Sequence, residues 1–283
     1  KRILKNTQLR ITDIDLIAAT VGPGLIGGLL VGLTFAKTLA QVNKIPFIGV
    51  NHLEGHALTA RLTNEVEYPF LLLLVSGGHT NFYFISDVND YYLLGGTLDD
   101  ALGEAFDKVA NILELDFPGG PQLELLAMKG DSKKIILPRP LINTKSLDMS
   151  FSGLKTAAFN CKKRIDEDEI SSCDLAASFQ NSVADVLCKK ISLALDFSHK
   201  EYSSFKNVVV SGGVAANNYL RKRIIKTIEL KNKSIFFPPP YLCTDNGAMI
   251  AWAGYELYKA GVESKLNIKA KPRWPLENIG DRA

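Results

Sequence analysis

Apolar positions along the chain fall into short dense blocks separated by longer stretches with helical spacing. DLIAATV (15–21) and PFIGV (46–50) are continuous apolar runs of strand length, as expected of strands buried on both faces. Between them, from about Leu25 to Asn43, lies a helix of fully apolar character over its first turns, and NHLEGHALTARL continues from the second strand as another helix. This β-α-β-α order predicts parallel pairing with helices on the faces of a sheet. Pro69 marks a break, after which FLLLLV (70–75), TNFYFIS (80–86) and YYLLG (91–95) predict a meander of three strands joined by Gly- and Asn/Asp-rich turns. A helix over Leu98 to Leu115 is ended by Pro118-Gly119-Gly120, and a helical stretch occupies about 153–198. The strand NVVVSGG (207–213), a helix from Asn217 to about Lys231, a strand at 234–237 and a helix from Thr244 to about Lys259 complete the pattern.

Composition narrows this little. The chain has 283 residues, 46% hydrophobic and 22% charged, which suits a globular protein of two lobes. A formal charge of +3 permits a nucleic-acid partner without supplying the dense basic stripe of a dedicated binding domain. Cys161, Cys173, Cys188 and Cys243 form no CxxC pair, so neither a zinc ribbon nor a disulfide framework is expected, and a reducing, cytosolic setting fits. The uncharged stretch Leu16 to Ala36 is long enough to span a bilayer, but Gly22-Pro23-Gly24 interrupts it. It reads as strand, turn and helix, and no membrane span or secretory signal is expected.

Three features carry candidate chemistry. His52 and His56 are four apart, so on a helix both imidazoles share one face and can hold one metal ion. Glu54 stands two positions from His52, about 200° around the helix, so the segment is not the HExxH of zinc proteases. Asp245 of CTDNGAMIAW sits at a helix start. Alone it suits a cap better than a ligand, although a carboxylate joined to two imidazoles would suit Fe(II), Mn(II) or Zn(II). LLLLVSGGH (71–79) and NVVVSGGV (207–214) are two buried strands running into Ser-Gly-Gly turns, whose backbone N–H groups suit anionic oxygens. Neither is a Walker loop or a GxGxxG fingerprint. In DDALGEAFDKVA (99–110), Asp99, Asp100 and Glu104 suit the first turns of a helix, and Asp107 suits either a ligand or a surface pair with Lys108. Gly24, Gly28 and Gly32 recur every four residues, which predicts close packing of a helix inside the fold or against another subunit. The tail KLNIKAKPRWP (265–275) offers Lys269, Lys271, Arg273 and Trp274 either to RNA or to solvent.

Taken in order, GPGLIGGLLVG, NHLEGH, LLLLVSGGHT, GEAFDK, PGG, FSGLKTA, VVVSGGVAANNYLR and PPPYLCTDNGAMIA closely resemble the universal tRNA threonylcarbamoyladenosine synthase family (TsaD), in its bacterial or organellar form. The resemblance implies the two-lobed α/β fold of actin, Hsp70 and sugar kinases (the ASKHA class). It implies lobes at 1–69 and 70–243, the second with a helical insertion, and a C-terminal helix and tail over 244–283, of which the last helix, about 245–260, is expected to pack back onto the first lobe. It also implies transfer of a threonylcarbamoyl group from threonylcarbamoyl-AMP to N6 of adenosine 37, in the anticodon loop of tRNAs reading codons that begin with A. His52, His56 and Asp245 would bind one Fe2+ or Zn2+. Val75, Ser76, Gly77, Gly78, His79, Asp107, Gly120 and Asn217 would contact substrate. The resemblance names no general base, and His79, beside the first Ser-Gly-Gly turn, is one candidate. TsaB-like and TsaE-like partner proteins are implied, with the Gly24/Gly28/Gly32 helix one candidate surface, and a cytoplasmic or organellar-matrix location. Family members begin with a β-hairpin carrying a motif like ETSCDET that does not occur in this sequence, so the N-terminal lobe is expected to be incomplete. An ATP-dependent kinase or chaperone of the same fold, a metallopeptidase and a non-catalytic homologue are the rival readings.

Overall fold

The computed structural model describes residues 2–167, 169–202 and 205–279. After a short helix α1 (Arg2–Thr7), strand β1 (Ile17–Gly22) leads to helix α2 (Ile26–Asn43), and strand β2 (Phe47–Asn51) runs directly into helix α3 (His52–Thr63). Strands β3 (Phe70–Val75), β4 (Thr80–Asp87) and β5 (Asp90–Gly96) follow, then helices α4 (Leu102–Ile112), α5 (Gly119–Ala127), α6 (Ser152–Asp166) and α7 (Ser172–Glu201). Strand β6 (Asn207–Ser211), helix α8 (Asn218–Glu229), strand β7 (Ser234–Phe236), the single turn α9 (Pro240–Cys243) and helix α10 (Gly247–Lys259) complete the order.

These elements form two units, the first made of 1–65, 86–91 and 245–283, the second of 66–85 and 92–244. The lobe limits read from the sequence at 69/70 and 243/244 thus lie a few residues away, and the tip of the β4–β5 hairpin belongs with the first unit. That assignment has a physical anchor, because the Tyr91 hydroxyl donates to the buried Glu54 carboxylate at 2.8 Å.

In the first unit β1 and β2 pair in parallel, Ile17 opposite Phe47. Helix α10 lies against α3 and β1, and glycines set its approach. A Cβ on Gly55 would come within 2.8 Å of Ile250 Cδ1, and one on Gly254 would collide with Ala18 Cβ. The buried Glu256 accepts from Arg61 Nε at 2.8 Å and ties the two helices further.

The second unit holds a five-stranded sheet in the order β5-β4-β3-β6-β7. β3 and β6 are its parallel centre, with Leu71 opposite Val208 and Leu74 opposite Ser211. All six residues of β3 are buried, which is why its sequence is an unbroken apolar run rather than an alternation. Leu71, Leu73 and Val210 share one core with Phe106 of α4 and Phe179, Val183 and Leu187 of α7.

Several boundaries depart from the sequence reading. α4 begins at Leu102, so Asp99 and Asp100 precede the helix. The Pro-Gly-Gly segment starts helix α5 instead of only ending its predecessor, since Pro118 is its cap residue. The helical stretch over 153–198 is two helices, α6 ending at Asp166 and α7 starting at Ser172, and Ser171 caps α7 by accepting from Cys173 N. Gly24 precedes α2 rather than lying on it. A Cβ on Gly28 or Gly32 would meet nothing within 4 Å, so these glycines are not buried by packing within the chain. α2 also exposes Leu30, Val31 and Phe35.

Candidate functional site

The first cluster of chemical groups is built where β2 passes into α3. Asn51, fully buried, caps the helix through its side-chain oxygen, which accepts from Leu53 N at 2.8 Å, while its Nδ2 donates to Trp274 O at 2.9 Å. His52 is therefore the first residue of α3 and His56 stands one turn later, their rings 4.9 Å apart between centroids. Asp245 comes from the start of α10. The cap of that helix is Asn246, whose side chain accepts from Met249 N at 2.9 Å, so Asp245 is not consumed in capping. Its Oδ1 lies 3.3 Å from His52 Nε2 and 3.1 Å from His56 Nε2.

The ligand atoms of the three residues all lie within 4.8 Å of one another. The two histidines hold the Asp245 carboxyl well below the usual carboxylate range, so it is an anion at any ordinary pH. Two imidazole nitrogens and a carboxylate oxygen converging this closely fit a divalent transition metal, and the exposed aspartate leaves room for further ligands. Glu54 is not part of the set. It is fully buried and holds the Tyr91 hydroxyl, which agrees with its direction around the helix and provides no base for peptide hydrolysis.

The second cluster belongs to the other unit and is made of backbone. β3 and β6 are adjacent and in register, so their Ser-Gly-Gly turns leave the sheet side by side. At Gly212, φ is +99°, and an added Cβ would press on Val75 O, 2.7 Å from Val75 C and 3.2 Å from Ser76 N. Only glycine allows the second turn to rest on the first. The first turn is closed by Ser76 N donating to His79 O at 2.8 Å and by His79 N donating to Ser76 Oγ at 3.1 Å. Gly77 and Gly78 face open space. Gly103 lets α4 settle on the turn, where its N–H donates to Ser76 O at 3.1 Å and a Cβ would lie 2.8 Å from Gly77 Cα.

Asp107 is one turn further along α4. It is not paired with Lys108, which instead binds Asp100 and Glu104 at 2.7 Å each. Asp107 Oδ1 accepts from Gly119 N at 2.9 Å, placing Gly120 and the start of α5 beside it. Glu124 of α5 accepts from Asn218 N at 2.8 Å. Asn217, the cap of α8, accepts from Leu220 N at 2.9 Å and donates to Gln180 Oε1 at 2.8 Å. The residues singled out in this unit from Val75 to Asn217 are thus joined around the ends of β3 and β6. A 3-10 turn over Gly213–Ala216 separates the second Ser-Gly-Gly turn from α8.

Sequence reasoning passed over Asp99, Gly103, Glu124 and Gln180. The first looked like helix-start acidity, but its carboxylate accepts from Phe151 N at 2.8 Å, Ser152 N at 3.2 Å, Ser150 Oγ at 2.5 Å and Ser152 Oγ at 2.7 Å. Burial raises its pKa, and these bonds outweigh burial and hold it at about 2. At the C-terminal tail, Trp274 is 4% exposed with Lys271 over its ring. It is therefore a packed side chain and not an open stacking surface.

By sheet order and placement of the glycine turns, the chain is an α/β protein of the actin/Hsp70/sugar-kinase class. Full-length HypF in its phosphate- and nucleotide-bound form superimposes with a TM-score of 0.64 at 14% identity, over 92% of this chain and 40% of that one. HypF of T. kodakarensis gives 0.65 at 18% identity, over 89% and 42%. These likenesses concern the fold alone and span less than half of either HypF chain. Residues 1–252 match the family described as TsaD, tRNA N6-adenosine threonylcarbamoyltransferase. Proteins of that name from Rickettsia rickettsii (strain Sheila Smith) and from Wolbachia pipientis wMel are 48% and 47% identical, over 99% and 98% of this chain and 83% and 82% of theirs. The chain belongs to the tRNA N6-adenosine threonylcarbamoyltransferase family.

Proposed function

We propose that the chain transfers the threonylcarbamoyl group of L-threonylcarbamoyladenylate to N6 of adenosine 37 in tRNAs reading codons that begin with A, releasing AMP. The observation that carries this reading is the convergence of His52 and His56 Nε2 on Asp245 Oδ1, at 3.3 and 3.1 Å, in a chain that belongs to this family. A kinase or chaperone of the same fold has no need of that donor set. His52, His56 and Asp245 would hold one Fe2+ or Zn2+, and such an ion supplies Lewis-acid polarisation of an acyl oxygen when bound.

Val75, Ser76, Gly77, Gly78 and His79 of the first turn, together with Asp107, Gly120 and Asn217, are assigned to the adenylate. Open backbone at Gly77 and Gly78 supports this assignment. Asp107 retains Oδ2 for a ligand hydroxyl, whereas the Asn217 side chain is engaged at both ends, so its contribution is placed on the backbone. His79, in the first turn, is the candidate base for the adenine amine, a weak nucleophile whose attack depends on positioning. An anticodon-loop adenine is reachable without melting a duplex. With a net charge of only +3, much of the tRNA grip falls to TsaB-like and TsaE-like partner proteins, and the exposed apolar face of α2 is the surface assigned to one of them. No helix among the described residues is long and apolar enough to cross a membrane.

The test is reconstitution with tRNA, threonine, bicarbonate, ATP and the partner proteins, read by nucleoside mass spectrometry and metal analysis. The unaltered chain is expected to form threonylcarbamoyladenosine with about one metal per chain. His52→Ala is expected to lose the metal and at least about 100-fold in rate. Modification by a metal-free His52→Ala chain at the full rate would sink the reading.

A further inference from the structure

Beside the first Ser-Gly-Gly turn the second unit has an open groove of about 600 Å3, lined by Gly77, by Glu104, Asp107, Lys108, Asn111 and Ile112 of α4, and by Lys155 and Phe159 of α6. Its charges are unevenly committed. Lys108 is held by Asp100 and Glu104, and Asp107 is tied to the α5 N-terminus. Lys155 is different. It is half-buried and lies on the wall of the groove, yet no hydrogen bond or ion pair involves it among the described residues.

Its placement is nevertheless firm. The four hydrogen bonds from Ser150, Phe151 and Ser152 to Asp99 clamp the first turn of α6. Leu154 is fully buried in the core, and the next residue is thereby presented to the groove. One turn on, Phe159 is 62% exposed and adds an apolar wall. A half-buried ammonium held by a rigid helix, without a counter-ion and next to an open glycine turn, suits an anionic ligand group.

We propose that Lys155 binds the phosphate of the nucleoside monophosphate half of the donor and neutralises the charge that develops on it as AMP leaves. This rests on the adenylate reading of the Ser-Gly-Gly turns given above. In the transfer, the adenine N6 forms a bond to the carbamoyl carbon and the carbon–oxygen bond to phosphate breaks. The electron pair remains on the phosphate oxygen, and the amine proton passes to the base, His79 in the reading above, and from it to solvent. The phosphate thus goes from one negative charge toward two, and a cation placed there is worth more in the transition state than in the ground state.

The experiment compares AMP with adenosine as probes, by calorimetry on the full chain and on Lys155→Ala, Lys155→Met and Lys155→Arg. Thermal melting serves as a control on folding. Lys155→Ala and Lys155→Met are expected to weaken AMP about tenfold or more while leaving adenosine unchanged, with Lys155→Arg recovering part of the loss. In reconstituted turnover the rate constant with preformed donor should fall by a similar factor. Equal weakening of AMP and adenosine would mean a merely structural role, and an unchanged AMP affinity would mean an idle lysine. A loss confined to tRNA affinity would assign the groove to RNA. Any of these overturns the proposal while leaving the adenylate reading standing. If the unaltered chain binds neither probe, the adenylate reading itself fails, and the role of Lys155 with it.

Discussion

At His52, His56 and Asp245 the chemistry resides in side chains, and the backbone only has to deliver them. At the Ser-Gly-Gly turns the backbone is the chemistry, and side chains matter chiefly by being absent. The first arrangement tolerates local adjustment, since an imidazole or carboxylate can rotate. The second does not, because Gly212 leaves no room for a Cβ between it and Val75. Subtraction should therefore disable the first cluster with little loss of fold, as in the His52→Ala test. Addition should disable the second.

The largest expected effect on stability follows from that contrast. Gly212→Ala must accommodate both φ of +99° and a Cβ lying 2.7 Å from Val75 C. A loss of about 3 kcal/mol is expected, seen as a fall in Tm of several degrees. Gly78→Ala, where a Cβ meets nothing within 4 Å, should melt within about 2 °C of the unaltered chain while weakening AMP. If the two variants melted alike, the claim that the turns rest on one another would be wrong.

What was legible in the sequence follows the same division. A spacing of four between histidines is a side-chain signal that survives without coordinates, and the buried strands before both Ser-Gly-Gly turns are equally plain. The role of Asp245 was not, because Asp at a helix start suits a cap, and only the structure shows Asn246 doing that work. Asp99 was misread for a related reason. Acidity near a helix start is normally explained by that helix, whereas this carboxylate serves the start of α6, some fifty residues on. Helix α5 was missed because Pro-Gly-Gly-Pro reads as punctuation, although a proline at the cap and another in the first turn are compatible with a helix. The glycines of α2 left a choice open, since small-residue spacing predicts close packing but does not say whether the partner is in the same chain.

Asp99 offers a middle-sized effect that depends on pH. Its carboxyl titrates at about 2 in the fold against an ordinary 3.8. A depressed acid contributes stability that is complete above the ordinary value and is lost as pH falls through the folded one. Asp99 is exposed, so solvent screening reduces the contribution to about 1 kcal/mol. Asp99→Asn should accordingly be less stable than the unaltered chain at neutral pH, and the gap should close between pH 4 and about 2. A gap that stayed constant over that window would show that the hydrogen bonds to Ser150, Phe151 and Ser152 do not depend on its charge. Because the same bonds fix Lys155, the variant should also weaken AMP modestly.

The smallest expected effect is on metal content, and it tests whether the metal-capable set is as independent of its neighbours as its side-chain construction suggests. Glu54 lies between His52 and His56 in sequence and is fully buried with the Tyr91 hydroxyl 2.8 Å from Oε1. Tyr91→Phe removes one donor from a buried carboxylate, which costs about 1–2 kcal/mol and should lower Tm by a few degrees. Metal content should not change, because Glu54 faces Tyr91 and is outside the group of three ligand residues. A chain that lost its metal on this substitution would show that Glu54 positions α3 for coordination, and the separation drawn between a structural carboxylate and a ligand carboxylate would have to be abandoned. Retained metal with a lowered Tm would place Glu54 in the packing of the first unit, between two histidines whose chemistry it does not share.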